Sequence, residues 1–239
     1  MSTVAAVSAD LKALADKEVA KNRAWFFKTG KGEYGYGDQF LGIEVPKLRA
    51  VAKAHENLSL THIKKLSESV FHEERFVALV ILVLQFKKAK LATQKKLLFD
   101  SYLELLKANR VNNWDLVDAT APYLGVYLLD YSGADALLAK LAKSKNLWEQ
   151  RSSIMFTWAY IRAGKLDVAT KQIALFLNHP HDLIHKAAGW MLREVGKKSL
   201  VVLRKFLGSH AANMPRVMLR YSIEKLSPAE RAKWLAKKN

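Results

Sequence analysis

The chain has 239 residues, half of them hydrophobic, no cysteine, and 39 lysines and arginines against 22 aspartates and glutamates, a formal charge of +17. That length gives ample core for one large domain or two small ones, and the lack of cysteine excludes disulfide frameworks and thiolate chemistry and points to a reducing compartment. Met1 to Ala6 lacks the basic-then-apolar pattern of a signal peptide, and the longest apolar run, Phe76 to Leu84, falls short of the ~20 residues that span a bilayer, so a cytoplasmic protein is expected.

Periodicity predicts a helix over Ser8 to Lys28, with Leu11, Leu14, Ala15 and Val19 on one stripe. A glycine-rich loop over residues 30–38 follows, holding four of the eleven glycines. It matches G-x-G-x-x-G in form, but the dinucleotide fingerprint must follow a strand and open a helix, and here Trp25-Phe26-Phe27 precedes it. No Gly-Lys-Ser/Thr closes it as a Walker A loop would, so a flexible or tightly turned loop is expected. Pro46 suits the first position of a helix running to His55.

Amphipathic segments then follow with short polar breaks, at Thr61 to Ser69, Glu73 to Phe86, Ala92 to Lys107, Trp114 to Leu129, Ala134 to Lys143 and Trp148 to Ala163. They continue at Leu166 to Leu177, Leu183 to Gly196, Leu200 to Leu207, Pro215 to Lys225 and Pro228 to Ala236. Phe76 to Leu84 has strand-like apolarity, but its length, its helical neighbours and the Glu-Glu-Arg start favour a buried helix. The Trp114 segment places an aromatic ring and the Asp118 carboxylate four residues apart, on one helical face, which suits stabilisation of a developing cation. The plainer alternative is an aspartate complementing a helix dipole.

Every second helix opens with a polar cluster. Aligning Arg75, Val117, Arg151, Lys186 and Arg216 gives spacings of 42, 34, 35 and 30 residues, the period of HEAT or armadillo two-helix repeats. The expectation is a single all-α domain over 1–239, a right-handed α-solenoid whose inner helices line a basic concave groove. Four of the five aligned residues are basic, and the basic residues are spread along the chain, so a broad face for a polyanion is expected, nucleic acid before anionic membrane. A generic solvated basic surface is the alternative.

Four segments in order are similar to the HEAT-like-repeat DNA alkylation-repair glycosylases (AlkD-like). Asp38-Gln39-Phe40-Leu41-Gly42-Ile43 with Val45-Pro46 resembles that family's FLG-[IV]-x-x-P signature, and Trp114-Asp115-Leu116-Val117-Asp118 its WD-x-VD motif. Leu147-Trp148-Glu149-Gln150-Arg151 resembles W-x-QR, and Lys186 to Glu194 resembles KA-x-GW-x-LRE, so the resemblance covers about residues 22–196. It implies that Trp114, Asp118 and Trp190 contact the damaged nucleotide, with Arg151 on the DNA backbone and Lys186 and Arg193 on the same wall. It also implies a monofunctional glycosylase that removes cationic N3- or N7-alkylated purines such as 3-methyladenine and 7-methylguanine from duplex DNA, as a monomer, without a tight base-flipping pocket, cofactor or metal. Tyr36 departs from the acidic residue expected in the glycine loop.

Each assignment has a competing reading. Trp190 also suits core packing, and Arg151 also suits a capping or snorkelling role. Trp25, Trp158 and Trp234 are expected in packing. His179, His181 and His185 invite a metal reading, which fails for want of a carboxylate or cysteine partner in a ligand pattern. A non-catalytic HEAT-type DNA-binding or scaffold protein, and a protein–protein adaptor, remain the alternative functions.

Overall fold

The structure, a computed structural model that describes residues 2–237, is all-helical, with no strand among the described residues beyond one isolated backbone bridge between Gln39 and Phe71. It divides into two compact units, Met1–Thr120 and Ala121–Asn239.

The first unit holds α1 (Val4–Ala13), α2 (Lys17–Phe26), α3 (Val45–Ala54), α4 (Leu60–Leu66), α5 (His72–Lys88), α6 (Ala92–Lys107) and α7 (Trp114–Asp118). The expected single helix over Ser8 to Lys28 is in fact two, because the Asp16 carboxylate accepts from the amides of Glu18 (2.9 Å) and Val19 (3.1 Å) and so starts a new helix. Pro46 stands in the first turn of α3, as its fixed φ favours. Helix α5 is the hub, packed by α1, α3, α4, α6 and α7. Its run from His72 to Val83 is buried on every side, which explains an apolar stretch with little amphipathic pattern and bears out the buried-helix reading of Phe76 to Leu84.

The second unit holds α8 (Ala121–Leu124), a 3-10 turn (Gly125–Leu129), α9 (Ala134–Ala142), α10 (Leu147–Arg162), α11 (Leu166–Ala174), α12 (Asp182–Lys198), α13 (Leu200–His210), α14 (Arg216–Ser222) and α15 (Pro228–Ala236). The helix expected over Trp114 to Leu129 breaks at Thr120. The Thr120 hydroxyl bonds back to the carbonyls of Leu116 (2.6 Å) and Val117 (3.2 Å), and Pro122, which has no amide hydrogen, cannot donate back to the preceding turn. Helix α12 packs on both α10 and α14, with α11 and α13 against it, so alternate helices stack as two-helix repeats require. Gly189 permits the close approach of α14: a Cβ there would lie 2.6 Å from the Met218 carbonyl oxygen and from Tyr221.

Candidate functional site

Helix α7 is five residues long, too short to be stable alone, so its position is set by side chains. Asn113 caps it, accepting the Trp114 amide at 2.8 Å. Trp114 is half-buried. Its ring stacks on Phe27, with centroids 5.3 Å apart and planes 15° apart, and meets the edge of Phe26 at 6.0 Å. Asp118, also half-buried, follows one turn later on the same helix, as the spacing predicted.

The start of α7 is tied down by a residue that the sequence did not single out. His72, at the start of α5, lies in a buried sandwich: Nε2 is 2.8 Å from the Asp115 carboxylate and Nδ1 is 3.2 Å from the Asp38 carboxylate. Asp38 also receives Asn112 Nδ2 at 3.2 Å and pairs with the Arg75 guanidinium at 2.7 Å. Burial alone pushes the His72 imidazole down, but the Asp115 charge and the hydrogen bonds to Asp115 and Asp38 outweigh it and the opposing Arg75, and raise the pKa to about 9. For Asp38, burial pushes the carboxyl up, yet the His72 hydrogen bond and the Arg75 charge hold it below the usual carboxylate range. At neutral pH His72 is therefore an imidazolium and Asp38 a carboxylate. A protonated histidine opposes the dipole at a helix N-terminus, so the two carboxylates are what make this position tolerable.

The imidazolium is also stacked against Phe40 (4.8 Å) and lies 5.0 Å from Phe27, the ring that supports Trp114. One cluster thus joins the glycine-rich loop, through Asp38, to α5 and to α7. The Phe40-Leu41-Gly42-Ile43 signature has a structural reason as well. The buried Glu73 carboxylate accepts the amides of Leu41 (2.9 Å), Gly42 (2.9 Å) and Ile43 (3.4 Å). Gly42 adopts φ +82, and a Cβ would collide with the Asp16 carbonyl oxygen, so only glycine fits between this segment and α2.

Trp190 lies in the second unit on α12, half-buried, its indole N–H donating to Glu194 at 3.2 Å. Arg193, on the same helix, pairs with Glu224, and Lys186 pairs with Asp182 at 2.8 Å. Arg216 is exposed at the start of α14 and donates to the carbonyls of Leu235 (2.6 Å) and Lys237 (3.4 Å) at the end of α15.

The expected ladder of phosphate-facing bases needs correction at two rungs. Arg75 is only 4 % exposed, paired with Asp38 and donating to the Ser69 carbonyl at 2.8 Å. Arg151 is equally buried and donates to the Leu183 carbonyl at the start of α12. Both are anchors inside the protein, because a buried guanidinium must be matched by acceptors. The periodicity was real, but at these two positions it reports how one helix is fastened to neighbouring backbone.

Trp234 packs as expected, Trp158 is half-buried, and Trp25 is 75 % exposed, against expectation. The three histidines near α12 go to local hydrogen bonds: His179 to Gln150 at 3.0 Å, His181 as the cap of Leu183 at 3.1 Å, and His185 to the His179 carbonyl. Burial lowers the pKa of both His179 and His181; neighbouring His181 and His185 push His179 further down, and His185, Arg151 and Lys186 do the same to His181 against Asp182, which raises it.

A family model described as "DNA alkylation repair enzyme" matches residues 7–226. Among solved structures, a predicted DNA alkylation repair enzyme from Enterococcus faecalis superposes with a TM-score of 0.71 at 17% identity, covering 90% of this chain and 97% of that one. At that identity the likeness is one of fold. No curated protein matches the chain. No helix among the described residues is long and apolar enough to cross a membrane.

Proposed function

The chain belongs to the DNA alkylation repair enzyme family, and from that premise we propose that it is a monofunctional glycosylase that hydrolyses the N-glycosidic bond of N3- or N7-alkylated purines in duplex DNA. Alkylation at those nitrogens makes the purine cationic, so it departs with the bonding electron pair as a neutral base. Positive charge then develops on the deoxyribose, and a water attacks C1′ and loses a proton, leaving an abasic sugar. Such a leaving group needs little acid catalysis. The requirement on the protein is an anion and electron-rich faces beside the sugar.

The observation that carries this reading is the pairing of Trp114 and Asp118 on a short helix whose position is fixed from beneath by a buried ionic cluster. Asp118 stabilises the oxocarbenium-like sugar and orients the water. Trp114 offers its ring face, a cation–π interaction worth ~1–2 kcal/mol when desolvated. Trp190 is assigned the same kind of role, and Lys186, Arg193 and Arg216 are assigned to phosphates. The chain acts as a monomer on a surface consistent with the net charge of +17.

The test is release of free base from duplex DNA containing 7-methylguanine or 3-methyladenine, in chelator and without cofactor, with a uracil duplex as the neutral control. Release of both methylated bases and retention of uracil is expected. Intact DNA binding with no release from either substrate would instead assign the chain to non-catalytic DNA binding.

A further inference from the structure

Three large aromatic side chains stand in solvent at one end of α2: Trp25 at 75 % exposure, Phe26 at 52 % and Tyr36 at 66 %. Trp25 and Phe26 occupy the last turn of the helix. Tyr36 lies on the glycine-rich loop, which is fastened to the backbone just past the helix end. The Gly35 amide donates to the Lys28 carbonyl at 3.0 Å, and a Cβ on Gly35 would collide with the Phe27 carbonyl oxygen. The loop is tightly turned and holds its own shape: Gly30 donates to Glu33 Oε2 at 2.8 Å, Glu33 to the Gly30 carbonyl at 3.0 Å, and Asp38 to the Gly35 carbonyl at 3.1 Å.

Aromatic area on this scale is unfavourable in water and marks a binding surface when it is contiguous. Its surroundings say what it binds. Residues 17–37 contain five lysines and arginines against two glutamates, one of which, Glu33, already accepts the Gly30 amide. The Lys28 ammonium lies 5.3 Å from the Trp25 ring centroid, and Lys28 is held at φ +56, a conformation that side-chain residues seldom adopt. The patch is continuous with the candidate site, since Phe26 touches the edge of Trp114. Flat rings with a cation beside them suit a nucleobase face and its neighbouring phosphate, whatever the base identity.

We propose that Trp25 and Tyr36, with Lys28, form a nucleobase-stacking subsite that takes an unpaired DNA base next to the damaged nucleotide. A base inside an intact stack has no free face to offer, so the subsite discriminates for unpaired positions. The inference rests on the DNA-binding part of the function proposed above and is independent of base excision.

The probe is an undamaged duplex carrying a single-base bulge of 2-aminopurine, compared with the fully paired duplex. The wild-type chain binds the bulged duplex more tightly and changes the 2-aminopurine emission. Trp25→Ala and Tyr36→Ala each weaken binding to the bulged duplex about tenfold, leave the paired duplex unchanged, and keep the salt dependence, whereas Trp25→Phe restores the preference. Lys28→Gln lowers the slope of log affinity against log salt by about 0.9. Both aromatic side chains are exposed, so the variants keep the wild-type unfolding midpoint. Equal wild-type affinity for the two duplexes, or no effect of Trp25→Ala, would overturn the subsite, as would a wild-type dimer that Trp25→Ala dissociates. Bulge preference without excision of methylated bases leaves the subsite standing and removes only the glycosylase reading.

Discussion

The two candidate tryptophans are held in different ways. Trp114 stands on a single turn of helix that is held by charge as well as by packing: Leu116 and Val117 are buried, and Asp115 is gripped by a buried His72, which is gripped in turn by Asp38 and, through it, by Arg75. Trp190 stands in the middle of a 17-residue helix that is packed on both sides, and its side chain makes one hydrogen bond, to Glu194, at 3.2 Å. Packing is indifferent to pH, and ion pairs are not. The comparison therefore predicts that the first unit's site is sensitive to ionisation and to single polar substitutions, while the second unit's is robust to both.

The largest effect should come from cutting the clamp. Asp115→Asn leaves a buried imidazolium short of a counter-ion and should destabilise the chain by ~3–5 kcal/mol in chemical denaturation. It should also lower base release, because α7 loses its tie to α5. A change under 1 kcal/mol would erase the difference between the two regions.

The clamp should next be visible in pH. The folded pKa of His72, about 9, lies above the ~6.5 of an unfolded histidine. Its stabilisation is therefore complete below about pH 6.5 and is lost as pH rises through 9, on the order of 3 kcal/mol across that window. His72→Gln should flatten the alkaline fall in stability. Asp38 acts at the other end: its lowered pKa gives stability above the unfolded value that is lost as pH falls through the folded one. An unchanged alkaline profile in His72→Gln would contradict the clamp.

The smallest effect sharpens the contrast. Glu194→Gln removes the charge that the Trp190 partner offers to Lys197 at 2.7 Å and Arg193 at 3.7 Å but keeps an acceptor, and with Lys197 half-exposed should change stability by less than about 1 kcal/mol. A loss comparable to Asp115→Asn would show that Trp190 is also held by charge.

How much of this was legible follows the same division. The bounds of α6 and α15 were readable to the residue, since apolar periodicity and, for α15, Ser227 with Pro228 mark them locally. The break at Asp16 has a local cue, a capping aspartate with Glu18 two residues on, but the apolar stripe of Leu11, Leu14, Ala15 and Val19 runs across it and masks it. Pro122 was likewise an available signal for the end of α7. Arg75 and Arg151 were found by period yet misread in role, because burial depends on acceptors such as the Leu183 carbonyl, 32 residues away. His72 left no local trace at all: its partners lie 34 and 43 residues away in sequence. Trp25 was misassigned for a reason of rotation. Of three consecutive aromatic residues at a helix end, only Phe27 turns inward.

The central claim is that Asp118, presented beside Trp114 by the clamped helix, stabilises the charge that forms on the sugar. The direct measurement is single-turnover release of 7-methylguanine from duplex DNA by wild-type and Asp118→Asn chains, with affinity for the same duplex measured in parallel. The prediction is a rate lowered tenfold or more with affinity unchanged or slightly improved, since the lost carboxylate acts on the transition state and repels phosphates in the ground state. An Asp118→Asn chain that releases base at the wild-type rate, or that loses rate and affinity in equal measure, would contradict it.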